Sequence, residues 1–113
     1  MNKRILIIED ETELSGLLQK YLVRKSYDVT CVETLSMGMS LLHTFSYDAI
    51  ILDNNLPDGK GIDAIPLINF IQQHPKIIAM SAMQVRKEAL EAGASFYIEK
   101  PISMAAIYSL LTA

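Results

Sequence analysis

A single cysteine, Cys31, leaves no partner for an internal disulfide, and within a strand-like stretch it reads as a small buried hydrophobe. No apolar run exceeds a few residues, so nothing here is long enough to span a membrane. The start, M-N-K-R-I-L-I-I, lacks the layout of a signal peptide, and the expected location is the cytoplasm. A net charge of −3 supplies no broad cationic surface and speaks against direct binding of nucleic acid. Low-complexity segments, linkers and metal-type Cys/His spacings are missing. His43 falls in a helical pattern and His74 precedes a turn proline, and no Ser, Cys or His pairs with a base in a hydrolytic triad.

What the chain does have is patterning. Half of its residues are hydrophobic and a fifth are charged, a globular composition, and its length suits one domain over 1–113. Strands are expected at Lys3 to Ile8, Asp28 to Val32, Ala49 to Asp53, Ile77 to Met80 and Phe96 to Ile98. Between the first two, Leu14, Leu17, Leu18, Tyr21 and Leu22 form one helical stripe. Thr34 suits the N-cap of a helix that uses Leu35, Met39, Leu42 and Phe45. Gly61 to Gln73 is helical by pattern, and Pro66 argues for a start near Asp63, because only a first turn spares the proline its missing N–H. A short helix over Val85 to Ala92 closes on Gly93, and a last one runs from Ser103 to Leu111. This alternation predicts an α/β fold: a flavodoxin-like, doubly wound, five-stranded parallel sheet in the order 2-1-3-4-5, flanked by five helices.

In that order the first and third strands are neighbours at the switch point, where ligands bind beyond the strands' carboxyl ends. Glu9 and Asp10 close the first strand and Asp53 closes the third, so three carboxylates converge in one crevice. They repel one another and call for a cation, and hard oxygen ligands suit Mg²⁺. Ser81 adds a hydroxyl at the end of the fourth strand and Lys100 a mobile positive charge at the end of the fifth. A divalent ion, a lysine, a hydroxyl and a free carboxylate together suit phosphoryl transfer onto that carboxylate.

Four segments carry a resemblance: E-D-E after the first strand, I-L-D-N-N-L-P-D-G-K-G at the third, M-S-A after the fourth and Y-I-E-K-P at the fifth. Together they resemble the receiver domain of bacterial response regulators, the modules of two-component and phosphorelay signalling, in the manner of a chemotaxis-type single-domain receiver. The likeness covers essentially the whole chain. It implies that Asp53 accepts a phosphoryl group from a histidine kinase or phosphotransfer protein, making the chain a phosphoacceptor regulator that assists its own phosphorylation and dephosphorylation, and no enzyme in the ordinary sense. It implies Mg²⁺ held by Glu9, Asp10, Asp53 and the backbone carbonyl of Asn55. Ser81 would bond the phosphoryl oxygen, Lys100 would pair with phosphate or Asp53, and Ser81 with Tyr97 would form the switch. A cis peptide is implied at Lys100–Pro101. Output is expected through a downstream protein partner or a self-dimer on the fourth-helix, fifth-strand, fifth-helix face.

Some residues depart from that pattern. Ser81 to Gly93 is short for a receiver, which puts the reporting face in question more than phosphorylation itself. Met83, two after Ser81, places an apolar side chain where it could screen an acyl phosphate from water. Glu11 reads as a first-turn helix acid with no part in the site. The last helix ends at Ala113 without capping residues, which fits a stand-alone regulator or a piece of a larger one. The rival reading is a receiver-fold adaptor that works without phosphorylation. A flavin carrier calls for a Ser/Thr/Gly-rich loop in place of E-D-E, and an aspartyl-phosphate phosphatase for an Asp where Asn55 stands.

Overall fold

The central strands turn alternate side chains to opposite sides of one sheet, and that period of two builds two cores. The computed structural model describes residues 2–113. In chain order its elements are β1 (Arg4–Ile8), α1 (Thr12–Arg24), β2 (Asp28–Val32), α2 (Leu35–Thr44), β3 (Ala49–Asp53), β4 (Asn55–Leu56), β5 (Gly59–Lys60), α3 (Gly61–Gln72), β6 (Lys76–Ser81), α4 (Arg86–Ala92), β7 (Phe96–Glu99) and α5 (Met104–Leu111). The main sheet is parallel in the order β2-β1-β3-β6-β7, the doubly wound arrangement expected from the sequence. On one side Leu6, Ile8, Ile50, Leu52, Ile77 and Ala79 pack under α2, α3 and α4. On the other, Ile5, Ile7, Ile51, Ile78 and Met80 meet Leu18 and Leu22 of α1 and Ile107 and Leu111 of α5.

The register brings the strand ends level. Ile8 is paired with Leu52, and Asp53 with Met80. Backbone bonds then carry the ladder one step further: Glu9 N–H donates to the Val32 carbonyl, Asn54 N–H to that of Met80, and Lys100 N–H to that of Ser81, at 3.0, 2.8 and 2.8 Å. The residues that follow the strands therefore share one rim.

Four expectations need correction. First, α3 starts at Gly61 rather than near Asp63, so Pro66 lies inside the helix. The earlier start is fixed by Asn54, whose carbonyl accepts the Gly61 N–H at 2.9 Å and whose side-chain oxygen accepts the Ile62 N–H at 3.1 Å. Second, Leu17 is 53% exposed and lies off the buried stripe of α1. Third, Phe45 falls beyond the end of α2 and is half-exposed, its ring lying 5.4 Å from the Arg4 guanidinium carbon. Fourth, Cys31 is half-buried, and its thiol donates to the Ser15 carbonyl.

The small hairpin β4–β5 was not visible in the sequence. Its turn residue Asp58 accepts the N–H groups of Leu35 and Ser36 at 2.8 and 2.9 Å, capping α2 alongside Thr34, which accepts the Met37 N–H at 3.1 Å. Those two N–H bonds hold the Asp58 carboxyl below its ordinary value. Gly61 is packed so closely that an added Cβ would fall inside the contact distance of the Asp53 carbonyl oxygen and crowd Leu52. Gly61→Ala should accordingly lower stability by about 1–3 kcal/mol, the usual cost of overpacking. Urea denaturation measures this, and an unchanged midpoint would show that the hairpin yields without cost.

Candidate functional site

At the rim, Glu9 and Asp53 are buried while Asp10 is exposed, and ligand oxygens of all three lie within 4.8 Å of one another. The ammonium of Lys100 sits among carboxylates, 2.7 Å from Glu9 Oε1, 3.0 Å from Asp53 Oδ1 and 2.8 Å from Glu11 Oε1. The ammonium bridges all three, and its distances to the buried oxygens Glu9 Oε1 and Asp53 Oδ1 are those of charge-assisted contacts, with no further donor to either oxygen among the described residues. Glu11, read from sequence as a bystander, belongs to the cluster. Its pairing depends on a residue 89 positions away, which no local pattern signals.

The charges here are strained in a definite direction. Burial pushes the Glu9 carboxyl up against the pull of Lys100, and the Asp53 charge adds to the rise. Burial likewise raises Asp53, opposed by Lys100 and reinforced by Asp10 and Glu11. For Lys100 burial works downward, but the hydrogen bond to Glu11 and the carboxylates of Glu9 and Asp53 outweigh it and hold the ammonium above its ordinary value. The directions agree once the ratio is counted. One ammonium sees three partners, while each carboxylate has only a share of one. Two buried oxygens that share one ammonium, beside an exposed third carboxylate, could hold a small hard cation.

Ser81 is fully buried, and its hydroxyl oxygen accepts the Met83 N–H at 3.0 Å. It thus bonds the loop rather than capping α4, whose N-cap is Val85. Tyr97 is a buried residue of the edge strand β7, with its hydroxyl turned inward to donate to the Met83 carbonyl. The guanidinium of Arg86 lies 5.2 Å from the Tyr97 ring centre. One residue, Met83, therefore ties Ser81 to Tyr97 through its N–H and its carbonyl, while the Met83 side chain itself is 59% exposed. Asn55 is exposed at the start of the hairpin; its neighbour Asn54, buried, is the residue that sequence reasoning missed. The Lys100–Pro101 peptide is cis. Beside the carboxylates opens a cavity of about 490 Å³ whose lining includes Glu11, Leu14, Leu17, Lys100, Ile102 and Met104.

Comparison with known proteins places this geometry. The family model described as the response regulator receiver domain matches residues 5–112. The chain belongs to that family. It is 30% identical over 115 residues to the response regulator protein PilR of Pseudomonas aeruginosa, a match that takes in 96% of this chain and 25% of PilR. Against other curated relatives it spans about half their length, as with the 46% of the regulator CusR of Escherichia coli. Among solved structures it resembles the receiver domain of a sensor histidine kinase from Pseudomonas aeruginosa, crystallised with magnesium in its active-site cleft. That match has a TM-score of 0.88 and 28% identity, covering 99% of this chain and 96% of the other. A response regulator of Burkholderia pseudomallei, carrying a phosphorylated aspartic acid and a calcium ion, superposes with a TM-score of 0.91 at 23% identity, over 97% of this chain and 66% of that one. In this receiver domain no helix among the described residues is long and apolar enough to cross a membrane.

The raised carboxyls set a pH signature. A folded pKa above the unfolded one means that the folded protein binds more protons across the interval between them. Stability therefore falls as pH rises through that interval, and the full penalty stands at neutral pH. In chelator, Asp53→Asn should be more stable than the parent near neutrality, with the gain vanishing below the ordinary carboxylate range. Denaturation curves across pH decide it, and a variant less stable at neutral pH would mean that the pairing with Lys100 outweighs burial.

Proposed function

We propose that the domain 1–113 is the phosphoacceptor of a two-component or phosphorelay pathway, with Asp53 as the acceptor. The observation that carries this reading is the buried Asp53 carboxylate at the open end of β3, whose Oδ1 meets the Lys100 ammonium at 3.0 Å and no other donor among the described residues. A carboxylate in that position keeps a lone pair free and has a cation at hand for charge arriving on a phosphoryl group. In the transfer, an Asp53 carboxylate oxygen forms the new O–P bond as the donor's N–P bond breaks, and the histidine nitrogen leaves with its electron pair. Lys100 pairs with a phosphoryl oxygen. The hydroxyl of Ser81, released from the Met83 N–H, donates to another.

Glu9, Asp10 and Asp53, with the Asn55 carbonyl, would hold Mg²⁺, which supplies charge neutralisation for the phosphoryl oxygens. The related receiver crystallised with magnesium in its cleft supports that assignment. The phosphodonor is a histidine kinase or phosphotransfer protein. Its contact surface must border the crevice, and the apolar side chains Leu14, Leu17, Ile102 and Met104 along the adjoining cavity give it a seat.

Output runs through Met83, because a shift of the Ser81 hydroxyl toward phosphate moves the peptide that holds Tyr97. The face formed by α4, β7 and α5 then changes for a downstream protein or a second copy. Tyr97 lies inward with its hydroxyl on the Met83 carbonyl, so a change in that contact is what reaches the face.

Intact mass after incubation with Mg²⁺ and acetyl phosphate tests the acceptor. One phosphate adduct is expected on the parent, and none on Asp53→Asn or without Mg²⁺. An adduct of equal yield on Asp53→Asn would place the acceptor elsewhere.

A further inference from the structure

The acids that serve Asp53 do not account for Glu11. Its side chain is 62% exposed, yet it meets the Lys100 ammonium at 2.8 Å, as closely as the buried oxygens of Glu9 and Asp53 do at 2.7 and 3.0 Å. The backbone of Glu11 is held on both sides: its N–H donates to Glu9 Oε2 at 3.1 Å, and its carbonyl accepts the Ser15 N–H at 3.0 Å. A carboxylate on so fixed a base gives up little freedom to keep its contact.

An ammonium has three N–H bonds to give, and here three carboxylate oxygens surround it. A phosphoryl group on Asp53 brings further anionic oxygens that need the same donor. Glu9 and Asp53 are the buried members of the group, whereas Glu11 stands on the solvent side, among the residues lining the cavity beside the crevice. Its charge therefore does two things at once. It engages the Lys100 ammonium from the solvent side, and it sets a negative group beside the crevice that a small anionic donor must enter.

We propose that Glu11 is a positioning residue that competes with the incoming phosphoryl group for the Lys100 ammonium and so slows the reaction of Asp53 with free anionic phosphodonors. This rests on the reading of Asp53 as acceptor. A protein donor that brings a basic side chain to Glu11 would release Lys100 as it docks, which favours such a donor over a free anion.

The test compares the parent with Glu11→Gln and Glu11→Asp in Mg²⁺, following the rate of phosphate adduct formation from acetyl phosphate and, separately, the affinity for fluoroberyllate. Glu11→Gln removes charge and tether together. Glu11→Asp keeps the charge but shortens the arm by one methylene, so that the tether breaks. Both variants should react about two- to fivefold faster and bind fluoroberyllate tighter by a similar factor, the range of one partly exposed ion pair. The gain should shrink in high salt. Unchanged or slower reaction in both variants overturns the proposal, since Glu11 would then be idle or would place Lys100 productively. Acceleration in Glu11→Gln alone also overturns it, because repulsion without the tether would suffice. If the parent takes up no phosphate from any donor, the acceptor reading falls and this inference with it. An adduct on the parent at a rate indifferent to Glu11 sinks only the inference.

Discussion

The structure turns on one lysine shared among too many carboxylates. Lys100 stands within ion-pair distance of Glu9, Glu11 and Asp53, two of which are buried, and Asp10 adds a fourth negative charge at the same rim. Burying charge is costly unless it is fully paired, and here the pairing falls short by design of the fold rather than by loose packing. The residues just before this cluster, Ile7, Ile8, Ile51 and Leu52, are almost completely buried, so the backbone under the acids has no room to relax. A sealed sheet therefore ends in a cluster with four carboxylates to one ammonium, a net negative rim.

The rest of the fold serves that rim. Parallel pairing with level registers lines up the residues after β1, β3, β6 and β7. Asn54 ties the end of β3 to the start of α3, and Asp58 ties the hairpin to α2, so the segment that follows Asp53 is anchored at two helix N-termini. On the other side of the crevice, Met83 accepts from Tyr97 and donates to Ser81, linking the end of β6 to β7 through the loop between β6 and α4. At the far end of the sheet the Lys76 ammonium donates to the carbonyls of Leu110, Leu111 and Ala113, fixing the end of α5 to β6.

The sheet order and the placing of Glu9, Asp10, Asp53, Ser81 and Lys100 at strand ends were legible because they depend on apolar runs and on the few residues that end them. Such signals are local. The period of two that sorts Ile50 from Ile51 is written in consecutive residues, and topology then brings distant strand ends together. Other features were hidden because a partner far along the chain decides them. Leu17 obeys the helical period yet lies exposed, and Glu11 looks like any acid near a helix start until Lys100 arrives. Pro66 pointed to a later start for α3, but the two bonds from Asn54 outweigh that local preference. The resting position of Tyr97 was beyond the sequence for the same reason, since it rests on the path of the β6–α4 loop.

The most direct measurement is thermal denaturation of the unaltered chain in chelator, in Mg²⁺, and in Mg²⁺ with fluoroberyllate. The proposed role of the acid cluster, to take a cation and then a phosphoryl group, predicts a rise in Tm at the first addition and a further rise at the second. Saturation at about a hundred times the dissociation constant corresponds to roughly 2.7 kcal/mol for each ligand. A Tm indifferent to both additions would mean that the crevice is satisfied as it stands, and the account of Asp53 as a waiting acceptor would be wrong.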